Sequence, residues 1–252
     1  MKIKKIVPCM DIKGGKIVKG VNFEGIREIA DPIEMAEFYN KSGADELIFY
    51  DIAASVEGKG IFVELIKEVK SKVTIPLVVG GGISTLSDVD LAIECGASKV
   101  SINTGAINNP EILKEAADKY GGEKVMLSMD IKRVDGKFMI FRGAGRENTG
   151  IDAIEWAKKC VALGAGELVV NSIDTDGVKG GFDLEMLKAI SDVVSVPIVA
   201  SGGAGKKEHF AELFKEIPEI ETGLAASVFH LKEVDIKELK IYLKGQGICV
   251  NI

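Results

Sequence analysis

The chain of 252 residues matches itself at a spacing close to half its length. Lys5–Lys13 (KIVPCMDIK) aligns with Lys124–Lys132 (KVMLSMDIK) at an offset of 119. Ile33–Ala36 aligns with Ile154–Ala157, Gly43–Leu47 with Gly164–Leu168, and Val73–Gly82 with Val194–Gly203, each at an offset of 121. Four matches at one near-constant offset are hard to obtain by chance. A fixed period identifies the structural unit, and here the unit is half the chain.

Within each half, short apolar runs alternate with helical patterns. The runs are Lys5–Met10, Leu47–Asp51, Ile75–Val79, Lys99–Asn103, Val125–Asp130, Leu168–Ile173, Pro197–Ser201 and Leu224–Phe229. They are almost continuously apolar, as expected of parallel strands buried on both faces. Asp31-Pro32-Ile33-Glu34 places a capping Asp, a first-turn Pro and an acidic third residue at a helix start, and Gly43 is placed to end that helix. Asn109-Pro110-Glu111 repeats the start signal. Further helices are expected over Phe182 to Val193 and Lys206 to Lys215. Eight strand–helix units in this length give a (β/α)₈ TIM barrel. It forms one domain over 1–252, built from two similar (β/α)₄ halves of about 1–121 and 122–252. An open doubly wound sheet would carry a GxGxxG run in its first strand–helix turn. None is present there, and such a sheet has no reason to repeat at 121.

Composition narrows the functions. Hydrophobic residues at 46% and charged residues at 28% exclude a disordered chain. A net charge of −6 argues against a nucleic-acid surface, yet leaves room for a locally positive site that takes an anionic substrate. Cys9, Cys95, Cys160 and Cys249 are scattered without a CxxC pair, so neither a metal site nor a disulfide framework is expected. Free thiols suit a reducing cytoplasm. The N-terminal apolar segment is too short for a signal peptide, and no run of eighteen apolar residues suggests a membrane span.

A barrel of this kind does its chemistry at the carboxyl ends of its strands. Asp11 ends the first expected strand and Asp130 the fifth, so the repeat sets two carboxylates opposite one another across the mouth. One such Asp could simply cap a turn or pair with a lysine. A symmetric pair suits acid–base work at two points of one substrate. The third and seventh strands end in Gly80-Gly81-Gly82 and Ser201-Gly202-Gly203. The fourth and eighth end in Asn103-Thr104 and Ser227. Glycines admit an anion close to the backbone, and helix N-termini bind phosphate. Two such cradles in register imply a long substrate with a phosphate at each end. Tight turns alone account for one glycine loop, but poorly for two. The connections 12–30 and 131–149 are longer than usual strand–helix loops and read as lids. Lys19 in the first is either a substrate contact or a solvated loop lysine. His209 and His230 do not directly follow a strand at the mouth. Cys9 reads as a structural thiol in the strand core.

Together the motifs PCMDIKGGKIVKGVNF (8–23), ADELIFYDIAAS (44–55), GGGI (80–83), KVSINTGA (99–106), MDIKR (129–133), WAKKCVALGAGE (156–167), DTDG (174–177), ASGGAGKKEHF (200–210) and AASVFH (225–230) are highly specific. Over essentially its whole length the chain resembles the cyclase subunits of imidazole glycerol phosphate synthase, from histidine biosynthesis. The resemblance implies a lyase that takes a bisphosphate, a phosphoribulosyl-formimino carboxamide ribotide, and uses ammonia. The implied products are imidazole glycerol phosphate and an aminoimidazole carboxamide ribotide. It places the catalytic pair on Asp11 and Asp130. It places phosphate contacts on Gly82, Asn103 and Thr104 at one end, and on Asp176, Gly177, Gly203, Ala226 and Ser227 at the other. It implies no cofactor or metal. It implies one partner, a glutaminase subunit at the N-terminal face of the barrel, with ammonia entering past a charged ring of Lys5, Glu46, Lys99 and Glu167.

The chain departs from the family's usual residues at Lys5 and Ser84 (usually Arg), Ser98 (usually acidic) and Asn171 (usually Thr). Thr175 and Val178 also stand where the run is usually DRDGT. Three other readings compete. A phosphoribosyl-formimino carboxamide ribotide isomerase is also a half-repeated barrel, but it needs no ammonia path and leaves the charged ring unexplained. A paralogue making a modified surface sugar fits poorly with intact Asp11, Asp130 and KGVNF. A non-catalytic phosphate-binding barrel would have no use for both aspartates.

Overall fold

The computed structural model describes residues 2–21, 24–52, 63–143 and 145–252, with the backbone alone for 19–21 and 24–29. Eight parallel strands close into a barrel: β1 (Lys5–Lys13), β4 (Leu47–Asp51), β5 (Leu77–Gly80), β6 (Lys99–Ile102), β7 (Val125–Val134), β10 (Glu167–Ser172), β11 (Ile198–Ser201) and β12 (Thr222–Ala225). They neighbour one another in that order. β12 pairs back onto β1, with Lys5 opposite Thr222, so no barrel edge is left open. Helices run between the strands on the outside. This is the (β/α)₈ architecture expected from the alternation of apolar runs and helical patterns.

Side-chain alternation sorts the strands into two cores. Outward residues such as Ile6, Met10, Leu47, Leu127 and Leu168 join the large cluster beneath the helices. Inward residues Val7, Ile48, Val78, Met126, Val169, Val199 and Leu224 form a separate apolar layer across the barrel axis. The helix signals repeat as the sequence does. Asp31 accepts from Ile33 N at 2.9 Å and caps the helix Pro32–Lys41. Asp152, 121 residues later, accepts from Ile154 N at 2.9 Å and caps Ala153–Ala162. Gly43 and Gly164 follow these helices at φ 78° and 106°, a backbone region in which a Cβ is strained.

Two expectations need correction. The connections 12–30 and 131–149 are not loops. β1 and β7 run on past the barrel, and each folds back as an antiparallel ribbon: β2 (Lys16–Val21) and β3 (Glu24–Ala30), then β8 (Lys137–Arg142) and β9 (Glu147–Asp152). The cause is local turn chemistry. Gly14-Gly15 and Asp135-Gly136 both take positive φ at two consecutive residues. That is the two-residue hairpin turn whose twist matches the flanking strands. The expected strand Leu224–Phe229 also ends early. The strand is Thr222–Ala225, and Ser227–His230 form a helical turn. Its aromatic and β-branched residues pack outward under the helices and do not continue the sheet: Val228 and Phe229 belong to the outer core.

Candidate functional site

A cavity of about 530 Å³ opens at the carboxyl ends of the barrel strands. Three barrel strands separate β1 from β7 in either direction round the barrel, so Asp11 and Asp130 stand on opposite walls. Both line the cavity, as do Gly82, Asn103, Thr104, Asp176, Gly177, Gly203, Ala226 and Ser227. Of the expected mouth residues only Lys19 is not placed there. It lies on β2, and its side chain falls outside the described ones.

Asp130 is held by two amides. Asn171 Nδ2 donates to Oδ1 at 3.0 Å and Asn103 Nδ2 to Oδ2 at 2.9 Å. Ser201 Oγ donates to Asn171 Oδ1 at 2.9 Å and fixes that amide. Burial pushes the Asp130 carboxyl up to about 6. The Asn171 bond opposes the rise, the Asp176 charge adds to it, the Asn103 bond opposes it and the Asp11 charge adds to it. A carboxyl in that range exchanges protons readily near neutral pH. Asp11 has different company. The Cys9 thiol lies 3.8 Å from its Oδ1. Cys9 is therefore more than core filling: it belongs to the inner layer and also lines the cavity floor beneath Asp11.

The two glycine-rich strand ends share one backbone plan. Gly81 and Gly82 take φ 87° and 72°; Gly202 and Gly203 take 89° and 100°. A Cβ on Gly203 would lie 1.9 Å from the Gly181 carbonyl oxygen, so only glycine lets these strands of backbone meet. Beside each glycine pair a short helical turn begins, Thr104–Asn108 in one half and Ser227–His230 in the other. Asn103 and Ala226 precede these turns with almost the same dihedral angles, φ −121° and −119°. The first N–H groups of a helical turn have no partner within it and are available to an anion. Asp51 was missed in the sequence, although it ends β4 as Asp11 and Asp130 mark the mouth on their strands. It is buried and lines the cavity.

At the opposite end of the barrel Lys99 Nζ lies 3.2 Å from Glu46 and 2.5 Å from Glu167. The glutamates are only 3% and 5% exposed. Burial pushes the Glu46 carboxyl upward against the pull of Lys99, while the two glutamates together lift the Lys99 ammonium against its own desolvation. Of the four residues expected in a charged ring, Glu46 and Glu167 both pair with Lys99. Lys5 adds positive charge near Glu46.

A closed (β/α)₈ barrel with ionisable groups gathered in a cavity at the carboxyl ends of its strands has the layout of a barrel enzyme. Residues 5–235 match the family described as histidine biosynthesis protein. The chain is 48% identical to the imidazole glycerol phosphate synthase subunit HisF of Oceanobacillus iheyensis, across 100% of this chain and 98% of that one. It is 46% identical to the subunit of the same name from Clostridium botulinum (strain Langeland), across 99% of each. The chain belongs to this histidine-biosynthesis family, as a cyclase subunit of the imidazole glycerol phosphate synthase type.

Proposed function

We propose that the cavity binds a phosphoribulosyl-formimino carboxamide ribotide by its two phosphates. With ammonia it yields imidazole glycerol phosphate and aminoimidazole carboxamide ribotide. One observation carries this reading: two matching backbone cradles flank two opposed carboxylates. One phosphate meets Gly82, Asn103 and Thr104; the other meets Gly203, Ala226 and Ser227, with Asp176 and Gly177 alongside. The substrate's centre then lies between Asp11 and Asp130. Ring closure needs protons removed from the attacking nitrogen and delivered to leaving oxygens. Two carboxyls on opposite walls serve opposite faces of one substrate. The amide pair on Asp130 fixes its direction, and burial keeps its carboxyl close to the working pH.

Ammonia comes from a glutaminase subunit docked on the N-terminal face. A buried Lys99 between two glutamates is an expensive arrangement at a face otherwise given to packing. It makes sense as a closure that a docked partner loosens. Turnover of the bisphosphate with ammonium tests the core of the reading. Asp11→Asn and Asp130→Asn should each fold and each lose about 10²–10⁴-fold in rate. Near-wild-type turnover in both variants would refute the two-carboxylate mechanism.

A further inference from the structure

The two halves also match in how each glycine-rich strand end is tied to the helix that follows it. Leu86–Glu94 follows Gly82, and Lys207–Glu216 follows Gly203. Leu86 and Lys207 are 121 residues apart, the offset of the repeat. The third residue of each helix, Asp88 or His209, turns back on the segment that leads out of the strand. Asp88 Oδ2 accepts from Ser84 N at 2.9 Å and from Thr85 N at 2.8 Å. His209 Nδ1 accepts from Gly205 N at 3.0 Å. Ser84 and Gly205 are again 121 apart, so a carboxylate and an imidazole close the same backbone link in the two halves. The usual residue for such a link is an acid or an amide, and histidine is not.

His209 sits where two stretches of backbone interlock. Gly181 N donates to Gly203 O at 2.8 Å. A Cβ on Gly205 would lie 2.2 Å from Lys179 O, so the segments 179–181 and 203–205 meet with no side chain between them. The His209 ring covers this junction, since a Cβ on Gly181 would stand 3.8 Å from its Cδ2. Lys179 Nζ reaches Glu233 at 2.6 Å, just beyond the helical turn Ser227–His230. His209 is buried. A backbone N–H aimed at Nδ1 requires a lone pair there, so the ring's own proton lies on Nε2. Burial and the Lys206 charge push its pKa down, against the pull of Glu212 and Glu208, which keeps Nδ1 free to accept. A neutral imidazole holds the loop without adding a negative charge beside a bound phosphate.

We propose that His209 is a positioning residue for the phosphate end built on Gly203, Ala226 and Ser227. Its Nδ1 fixes the 203–205 backbone and, through the Gly181 link, the segment that carries Asp176 and Gly177. Asp88 does the same for the end built on Gly82 and Thr104. His209 acts on binding through the backbone alone. This rests on the bisphosphate reading above and deepens it: each end of the substrate is held by a loop with its own tie.

The test uses the whole chain, with bisphosphate varied at saturating ammonium and with crystals soaked in sulfate. His209→Leu keeps an apolar side chain but removes the acceptor, whereas His209→Asn keeps an oxygen where Nδ1 stood. One hydrogen bond is worth about 1 kcal/mol, a factor of about five. His209→Leu should raise the KM for bisphosphate about fivefold with kcat within twofold. It should lose sulfate near Gly203 and Ser227 while keeping it near Gly82 and Thr104. His209→Asn should bring KM back to within twofold of wild type and recover both sulfates. His209→Ala takes the place of the leucine variant if that one does not fold. An unchanged KM without the acceptor overturns the role. So does a fall in kcat at steady KM, a loss of sulfate at both ends, or a failure of His209→Asn to restore binding. Wild type that turns over and holds both sulfates, beside unaltered variants, would defeat the positioning role alone. Wild type that does neither would defeat the bisphosphate reading and this role with it.

Discussion

Asp130→Asn should make the folded chain more stable at neutral pH even as it removes activity. The Asp130 carboxyl titrates at about 6 in the fold, against an ordinary value of 3.8. Between those values the folded state still holds a proton that the unfolded state has released. Wild-type stability therefore falls as pH rises through this window. The difference of about two pKa corresponds to about 3 kcal/mol, trimmed to about 1–3 kcal/mol because the residue is only half-buried. An amide does not titrate and escapes this penalty. The site can accept it. Asn171 goes on donating to the remaining carbonyl, and Asn103 turns its amide so that Oδ1, buried and unpartnered, accepts from the new NH₂. The measurement is the melting temperature of variant and wild type from pH 4 to pH 8 at one scan rate. At about 2–4 °C per kcal/mol for a chain of this size, the variant's advantage should grow by about 2–12 °C across that range. An advantage that is constant, or that shrinks with rising pH, would refute the account of Asp130 as a carboxyl raised by burial.

Other tests address the cradles and the ring. Sulfate soaked into crystals should occupy two separate places, near Gly82 and Thr104 and near Gly203 and Ser227; density at one end only would undercut the bisphosphate reading. Gly203→Ala should cost several kcal/mol, because it combines φ 100° with a Cβ driven into the Gly181 carbonyl. A melting temperature within 2 °C of wild type would show that this loop yields easily. Lys99→Ala leaves Glu46 and Glu167 buried without their cation, a loss of about 3–5 kcal/mol. At a temperature where the variant stays folded, turnover with free ammonium should survive while glutamine-driven turnover with the glutaminase subunit falls. Equal losses with both nitrogen sources would make the ring purely structural.

What was legible in the sequence depended on repetition and on strand ends. Asp11 and Asp130 stood out because the repeat named them twice, and the glycine pairs for the same reason. The helix cap at Asp31 was readable locally, whereas its counterpart at Asp152 lacks the following proline and emerges only in the fold. The ribbons after β1 and β7 are also written in the sequence, as Gly-Gly and Asp-Gly, although the length of the two connections alone suits a loop equally well. The amide clamp on Asp130 was out of reach. Asn171 meets Asp130 across 41 residues. Such a meeting follows from barrel closure and inward register, which leave no mark near either residue. The strand end at Ala225 was hidden for another reason: Val228 and Phe229 suit a strand or a buried helical turn equally well.

Alternate residues of β1 face the barrel axis, so place along the chain becomes depth along the axis. Lys5 stands at the charged base, Val7 in the apolar layer, Cys9 on the cavity floor and Asp11 at the mouth. Neighbouring strands hold this scale in fixed register, with Lys5 opposite Thr222 and Asp11 opposite Tyr50. Insertion of one residue between Lys5 and Asp11 would turn every later side chain to the wrong face. Insertion of two would keep the face but move Asp11 about 7 Å further out along the axis. Base, floor and mouth are therefore not separately adjustable. A barrel of this kind adapts to a longer or shorter substrate by exchanging residues at fixed depths, or by remaking the segments beyond the strand ends, and never by sliding its carboxylates.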